Sequence, residues 1–159
     1  MTEKTVFHNV PVRTQVLEGA CWYTAFEMVV AYERSRNRGQ GLIDPGDKEY
    51  SRTLFLENRG LGANSPAERE NVAEDLGFVC NHMSATADGM LGLLASAPVI
   101  YAGRWAHKPS GHWVVLVGLS ENTLVINDPW LTERQTMDYD QFMGRHLKQT
   151  AERPLIHPP

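Results

Sequence analysis

Gln15-Val-Leu-Glu-Gly-Ala-Cys21-Trp22, running directly into Tyr23-Thr-Ala-Phe-Glu-Met-Val-Val-Ala-Tyr32, is the stretch around which this chain is organised. It sets an amide side chain, a glycine and a lone cysteine in front of a long apolar segment. Trp22, Phe26, Val29, Val30 and Tyr32 recur at helical spacing, which predicts a largely buried helix from about Ala20 to Arg36. A cysteine in the first turn of a helix meets the positive end of the macrodipole, which favours thiolate over thiol. A nucleophile of this kind needs a base within reach and an acceptor that orients the base.

Upstream, Val6 to Arg13 reads as an extended lead-in, because Pro11 disfavours helix before it. Downstream, Gly39, Gly41, Pro45 and Gly46 mark a loop, and a short helix is expected over Lys48 to Leu56. Ser65-Pro66-Ala67-Glu68 carries a capping serine, a first-turn proline and a capping-box glutamate, so a helix starts there and stops at Gly77. A strand over Phe78 to His82, a helix over Ala85 to Ala97 and a strand over Pro98 to Gly103 follow. Trp113-Val-Val-Leu-Val-Gly118 is the clearest strand, and a turn at Ser120 to Thr123 pairs it with Leu124 to Asp128. Thr136 and Met137 extend the sheet before a helix over Asp138 to Leu147, and the tail from Arg153 to Pro159 reads as extended and loose. Helices first and antiparallel strands second give an α+β fold, with no repeat and no linker dividing residues 1–159 into domains.

Of six histidines, His112 begins the strongest strand after Ser110-Gly111, and Asp128 ends the partner strand sixteen residues later. A tight hairpin brings the start of one strand beside the end of the next, so His112 and Asp128 are expected side by side. Singly, each has a plain structural reading: Cys21 as a small buried hydrophobe, His112 as a satisfied strand-end histidine, Asp128-Pro129 as a turn. Jointly they fall where a nucleophile, a base and its orienter are required. Asn127 is an alternative orienter, although strand alternation aims it at the opposite face. His107 and His112 lack a third metal ligand, so no metal site is expected.

Gln15, then Cys21-Trp22, then Gly111-His112, then Asn127-Asp128-Pro129-Trp130 resembles the papain-like cysteine peptidase pattern in order and spacing. The small size and the Asp-Pro-Trp sequence are most similar to bacterial branches, among them bacteriocin-exporter peptidase domains and papain-like effector proteases and toxins. Departures are the short Gly-Ala approach to Cys21 and the bulky Trp113 directly after the histidine. The resemblance implies a central Cys-bearing helix packed on an antiparallel sheet, and a thiol hydrolase acting on a peptide or amide bond. Within it Cys21 is the nucleophile, His112 the base, Asp128 the orienter and Gln15 the oxyanion donor together with the Cys21 N–H. Trp22, Trp113 and Trp130 are assigned to the substrate cleft, Trp130 also as a shield over the His112–Asp128 bond. Deamidation, amine cross-linking, acyl transfer and a catalytically silent binding module stay open as alternatives.

The composition sets bounds on partners. A net charge of −4 gives no electrostatic reason to expect nucleic acid, and Arg34, Arg36 and Arg38 read as a solvated helix end. Two cysteines, Cys21 and Cys80, are too few for a disulfide scaffold; Cys80 reads as a core thiol, and a Cys21–Cys80 bridge would consume the nucleophile. No apolar run is long enough for a membrane span, and the N-terminus lacks the pattern of a conventional signal peptide. The expectation is a cytoplasmic protein, or an effector exported without such a signal, that needs no cofactor. The resemblance to papain-like effectors and toxins, rather than composition, implies a protein or peptide substrate and an immunity or inhibitor protein as a partner.

Overall fold

The computed structural model describes residues 5–61, 66–83, 86–104, 111–146 and 154–159. Helix α1 (Cys21–Ser35) buries eleven of its fifteen residues, as expected for a helix apolar on most of its surface. A short 3-10 turn (Pro45–Asp47), capped by the Asp44 side chain on the Gly46 N–H, leads to α2 (Glu49–Leu56). Helix α3 (Pro66–Asp75) stops before Gly77, whose φ of +88° is left-handed and whose position against the Gly41 carbonyl leaves no room for a side chain. Its expected cap, Ser65, lies outside the described residues. Helix α4 (Ala87–Leu94) is capped by Thr86 on the Gly89 N–H at 3.0 Å, and α5 (Tyr139–His146) follows the last hairpin.

The strands are β1 (Thr5–Phe7), β2 (Val79–Asn81), β3 (Val99–Arg104), β4 (Gly111–Ser120), β5 (Thr123–Asn127), β6 (Gln135–Asp138) and β7 (Leu155–His157). They form one sheet in the order β2-β7-β3-β4-β5-β6, with every pairing antiparallel and β1 set beside β4. The ten-residue β4 is long enough to pair with β3 along Gly111–Leu116 and with β1 along Gly118–Ser120. Its side chains alternate between two cores. Trp113, Val115 and Val117 pack with α1 on one face; Val114 and Leu116 pack with Met90 and Leu94 of α4 and Phe142 of α5 on the other.

The structure corrects one expectation. The tail is a sheet strand: Leu155 and Ile156 are fully buried and pair with β2 and β3, because the apolar Leu-Ile pair closes the gap between those strands. The expected α+β arrangement holds, with the Cys-bearing helix packed on an antiparallel sheet that β1 and β2 also join. Among the described residues, no helix is long and apolar enough to cross a membrane.

Candidate active site

The N-terminus of α1 is built without a capping side chain. Ala20 occupies the cap position and offers no oxygen, so the first backbone N–H groups are not claimed by a side chain. Cys21 is the first helical residue and is 8% exposed. Its thiol is pushed up to about 11 by burial, with Asp128 adding in the same direction; the backbone N–H groups of Trp113, Trp22 and Cys21 itself pull it down. Desolvation thus opposes and outweighs the pull of these N–H groups on the thiol. Both cysteines are free, and Cys80, half-buried on β2, is pushed by burial up to about 12.

The influence of the Trp113 N–H and of Asp128 on the thiol places Cys21 beside the start of β4 and the end of β5. There His112, itself buried, holds Nε2 at 2.7 Å from Asp128 Oδ1. The same oxygen accepts the Trp130 N–H at 2.9 Å. With Nε2 committed to the carboxylate, Nδ1 is the ring nitrogen through which a proton from the thiol can pass. The β4–β5 register pairs Val115 with Asn127, and its extension sets residue 130 opposite residue 112. This explains why the Trp130 ring lies over His112, with centroids 4.4 Å apart.

Asn127 faces elsewhere. Its Nδ2 donates to the Val10 carbonyl at 2.8 Å, and its Oδ1 accepts Arg134 Nε at 3.0 Å. Arg134 also donates to Asn9 Oδ1 and to the Val10 carbonyl, and its guanidinium lies over the Phe7 ring. The N-terminal lead-in is thereby fastened to the segment that carries Asp128. A second fastening joins Thr14 and Gln15 to the same turn, through Thr14 Oγ1 to the Leu131 carbonyl at 3.1 Å and the Gln15 N–H to the Pro129 carbonyl at 2.7 Å.

The Gln15 backbone is tied to this turn, and its side-chain amide hydrogens are spent within its own loop. Nε2 donates to the Leu17 carbonyl at 2.9 Å and to the Glu18 carbonyl at 2.8 Å. Donation to an oxyanion requires one of them to exchange partner. Two of the three tryptophans assigned to the cleft are in the core instead. Trp22 is fully buried with Nε1 on the Arg59 carbonyl at 2.9 Å, and Trp113 packs against Phe26. Both follow a site residue directly, and the geometry that presents Cys21 or His112 turns the next side chain inward. Trp130 alone of the three is substantially exposed, at 39%.

Sequence reasoning missed the contribution of the α2 C-terminal turn. Asn58 sits at φ +54° and accepts the Gly19 N–H at 2.7 Å on Oδ1. The only local signal is an asparagine just past a helix end, a common left-handed cap. Among the described residues, no cluster of three or more metal-ligating side chains occurs.

Residues 4–146 match the family Peptidase_C70, described as papain-like cysteine protease AvrRpt2. The fold is similar to a structure described as a C39-like peptidase from Bacillus anthracis, with TM-score 0.66, 14% identity, and coverage of 100% of this chain and 98% of that one. It is also similar to the peptidase domain of Streptococcus ComA, a bifunctional ABC transporter involved in a quorum-sensing pathway. That likeness has TM-score 0.59 and 15% identity, and covers 95% of this chain and 100% of the other. At such identities the likeness speaks for the fold. No curated protein sequence matches the chain.

Proposed function

Because the chain belongs to this family of papain-like cysteine proteases, we propose that it cleaves a peptide bond through Cys21, His112 and Asp128. The observation that carries the assignment is the buried His112–Asp128 hydrogen bond of 2.7 Å, set beside a thiol that feels the Trp113 N–H and the Asp128 charge. As substrate enters, the Cys21 S–H proton passes to His112 Nδ1, and the sulfur forms a bond to the scissile carbonyl carbon. The carbonyl π pair moves onto oxygen, where the Cys21 N–H and the Gln15 side chain stabilise it. Collapse of this intermediate breaks the C–N bond while His112 returns the proton to the departing amine. A water deprotonated by His112 then hydrolyses the thioester, releasing the acid and restoring the thiol.

Asp128 accepts from Nε2 throughout, stabilising the imidazolium and fixing the tautomer. Burial raises the Cys21 thiol, which favours forming the nucleophile by proton transfer to His112 during the encounter. Trp130 covers the His112 ring and limits access of water to the His112–Asp128 bond. The biological role proposed is that of a bacterial effector or toxin acting on a protein substrate and restrained by an immunity protein. The order of its site residues, which resembles the bacterial branches of such peptidases, supports that setting.

The test compares the unaltered protein with Cys21→Ala in a proteome, reading new protein N-termini. Cleavage that vanishes in the variant while its melting curve is retained is the expected outcome. Cleavage that persists refutes Cys21 as nucleophile. Iodoacetamide labelling near neutral pH gives a second readout: Cys21 should react faster than the less buried Cys80 and lose that advantage in His112→Ala. Equal, slow labelling of both thiols would sink the assignment.

A further inference from the structure

The turn that carries the nucleophile is tied to the end of α2 at two points. Gly19 N–H donates to Asn58 Oδ1 at 2.7 Å, and Trp22 Nε1 donates to the Arg59 carbonyl at 2.9 Å. The approach at Gly19 is so close that a Cβ there would stand 2.5 Å from the Asn58 carbonyl oxygen. Asn58 is itself fixed, with its own N–H on the Phe55 carbonyl at 2.9 Å and the following Arg59 N–H on the Leu54 carbonyl at 3.1 Å.

The two ends of the peptide unit joining Glu18 to Gly19 have different partners. Its N–H goes to Asn58, and its carbonyl accepts one amide hydrogen of Gln15 at 2.8 Å. The other amide hydrogen of Gln15 goes to the Leu17 carbonyl at 2.9 Å, which also accepts the Ala20 N–H at 3.1 Å. These two carbonyls are not equivalent. If Gln15 leaves the Leu17 carbonyl, that oxygen keeps the Ala20 N–H and is not orphaned. The Glu18 carbonyl has no second partner of this kind among the described hydrogen bonds.

We infer that Asn58 is a positioning residue for the oxyanion donor. It locks the 18–19 peptide so that the Glu18 carbonyl anchors one hydrogen of the Gln15 amide while the other turns from Leu17 to the developing oxyanion. Donation by the Gly19 N–H to Asn58 makes the Glu18 carbonyl a stronger acceptor, which tightens its hold on the Gln15 amide. The inference rests on the proposed roles of Cys21 and Gln15, and it assigns a catalytic consequence to a residue that otherwise serves only as a helix cap.

The experiment separates these two roles. Asn58→Gly keeps the left-handed cap, for which glycine is the preferred residue, and removes the acceptor. Asn58→Asp keeps the acceptor oxygen. Two reagents probe Cys21. p-Nitrophenyl acetate acylates the thiol through a tetrahedral oxyanion, expelling p-nitrophenolate; iodoacetamide alkylates it by displacing iodide, with no oxyanion. Asn58→Gly should slow acylation about fivefold to tenfold, the worth of one hydrogen bond, while alkylation stays within about twofold. Asn58→Asp should recover most of the acylation rate at the plateau of the pH profile.

Equal effects on both reagents, or an unchanged acylation rate in a folded Asn58→Gly, overturn the inference. Should that variant not fold, Gly19 amide exchange in the unaltered protein decides: protection supports the tie, and exchange as fast as an open loop refutes it. A Cys21→Ala protein that still releases a p-nitrophenolate burst refutes the nucleophile itself, and the role of Asn58 with it. Normal loss of the burst in Cys21→Ala with no acylation defect in Asn58→Gly refutes only Asn58.

Discussion

Asp128 offers a sharp test of the site, because two donors converge on one of its oxygens. Oδ1 accepts His112 Nε2–H at 2.7 Å and the Trp130 N–H at 2.9 Å. Asp128→Asn can place a carbonyl oxygen at the same point. An amide turned the other way would set its NH2 against the Trp130 N–H, donor against donor, so the Trp130 backbone selects the rotamer in which oxygen accepts both bonds. His112 then keeps its proton on Nε2 and its basic lone pair on Nδ1. Only the charge is lost. A hydrogen bond to a charged group contributes about 1.5–3 kcal/mol against about 0.5–1.5 for a neutral one. The difference, about 1–1.5 kcal/mol, is roughly a tenfold loss of rate.

Asp128→Ala removes the acceptor altogether and strands two donors at a site where His112 is 3% exposed. Two donors stranded at about 1–3 kcal/mol each weaken the fold by about 2–6 kcal/mol, and losing the group that fixes the tautomer and stabilises the imidazolium should lower the rate by about 10²–10⁴. It should also melt about 4–24 °C lower, taking 2–4 °C per kcal/mol for a chain of this size. Single-turnover acylation by p-nitrophenyl acetate, read beside thermal unfolding, measures both. An Asn variant as slow as the Ala variant would refute the claim that Trp130 fixes the orientation of residue 128. An Ala variant within fivefold of the unaltered rate would refute a role for Asp128 in the chemistry.

Alkaline pH supplies a second prediction. The folded chain holds the Cys21 proton up to about 11, against an ordinary value of 9.0, so the stability this contributes is complete below about pH 9 and is lost as pH rises through about 11. The two-unit shift corresponds to about 3 kcal/mol. In urea melts the stability difference between the unaltered protein and Cys21→Ala should change by about that amount between those pH values, in the direction that favours the variant; a constant difference contradicts burial of the thiol as the cause. Gly19→Ala should cost about 1–3 kcal/mol through overpacking against the Asn58 carbonyl, visible as a lower melting temperature together with slower labelling of Cys21. Unchanged stability would show that the two turns separate freely.

Much of the architecture could be read along the chain, because periodicity and caps are local. The apolar spacing from Trp22 to Tyr32 predicts α1 within a residue at each end, and the Val-rich run and its turn predict the β4–β5 hairpin. That hairpin brings His112 and Asp128 into one neighbourhood: its register sets residue 130 opposite residue 112, and the Asp128 carboxylate reaches the ring diagonally at 2.7 Å. Sequence order also separated Asp128 from Asn127, because adjacent residues at a strand end diverge; Asn127 turns to Val10 and Arg134.

The tertiary structure decided what no local pattern carries. Whether Trp22 and Trp113 meet substrate or core depends on what packs beside them, and the Arg59 carbonyl and Phe26 lie far from each in sequence. The state of the Cys21 thiol is set by competition between a local helix end and the burial imposed by the whole fold, and burial prevails. The tail became a strand because β2 and β3 leave a place for it, not because Leu155 to His157 announces one. Asn58 reaches Gly19 across 39 residues of chain. The sequence by itself determined the elements and roughly where each candidate group lies on its element, since residue type and period are written locally. Solvation, exposure and hydrogen-bond partners belong to contacts between distant segments, and only the folded chain decided them.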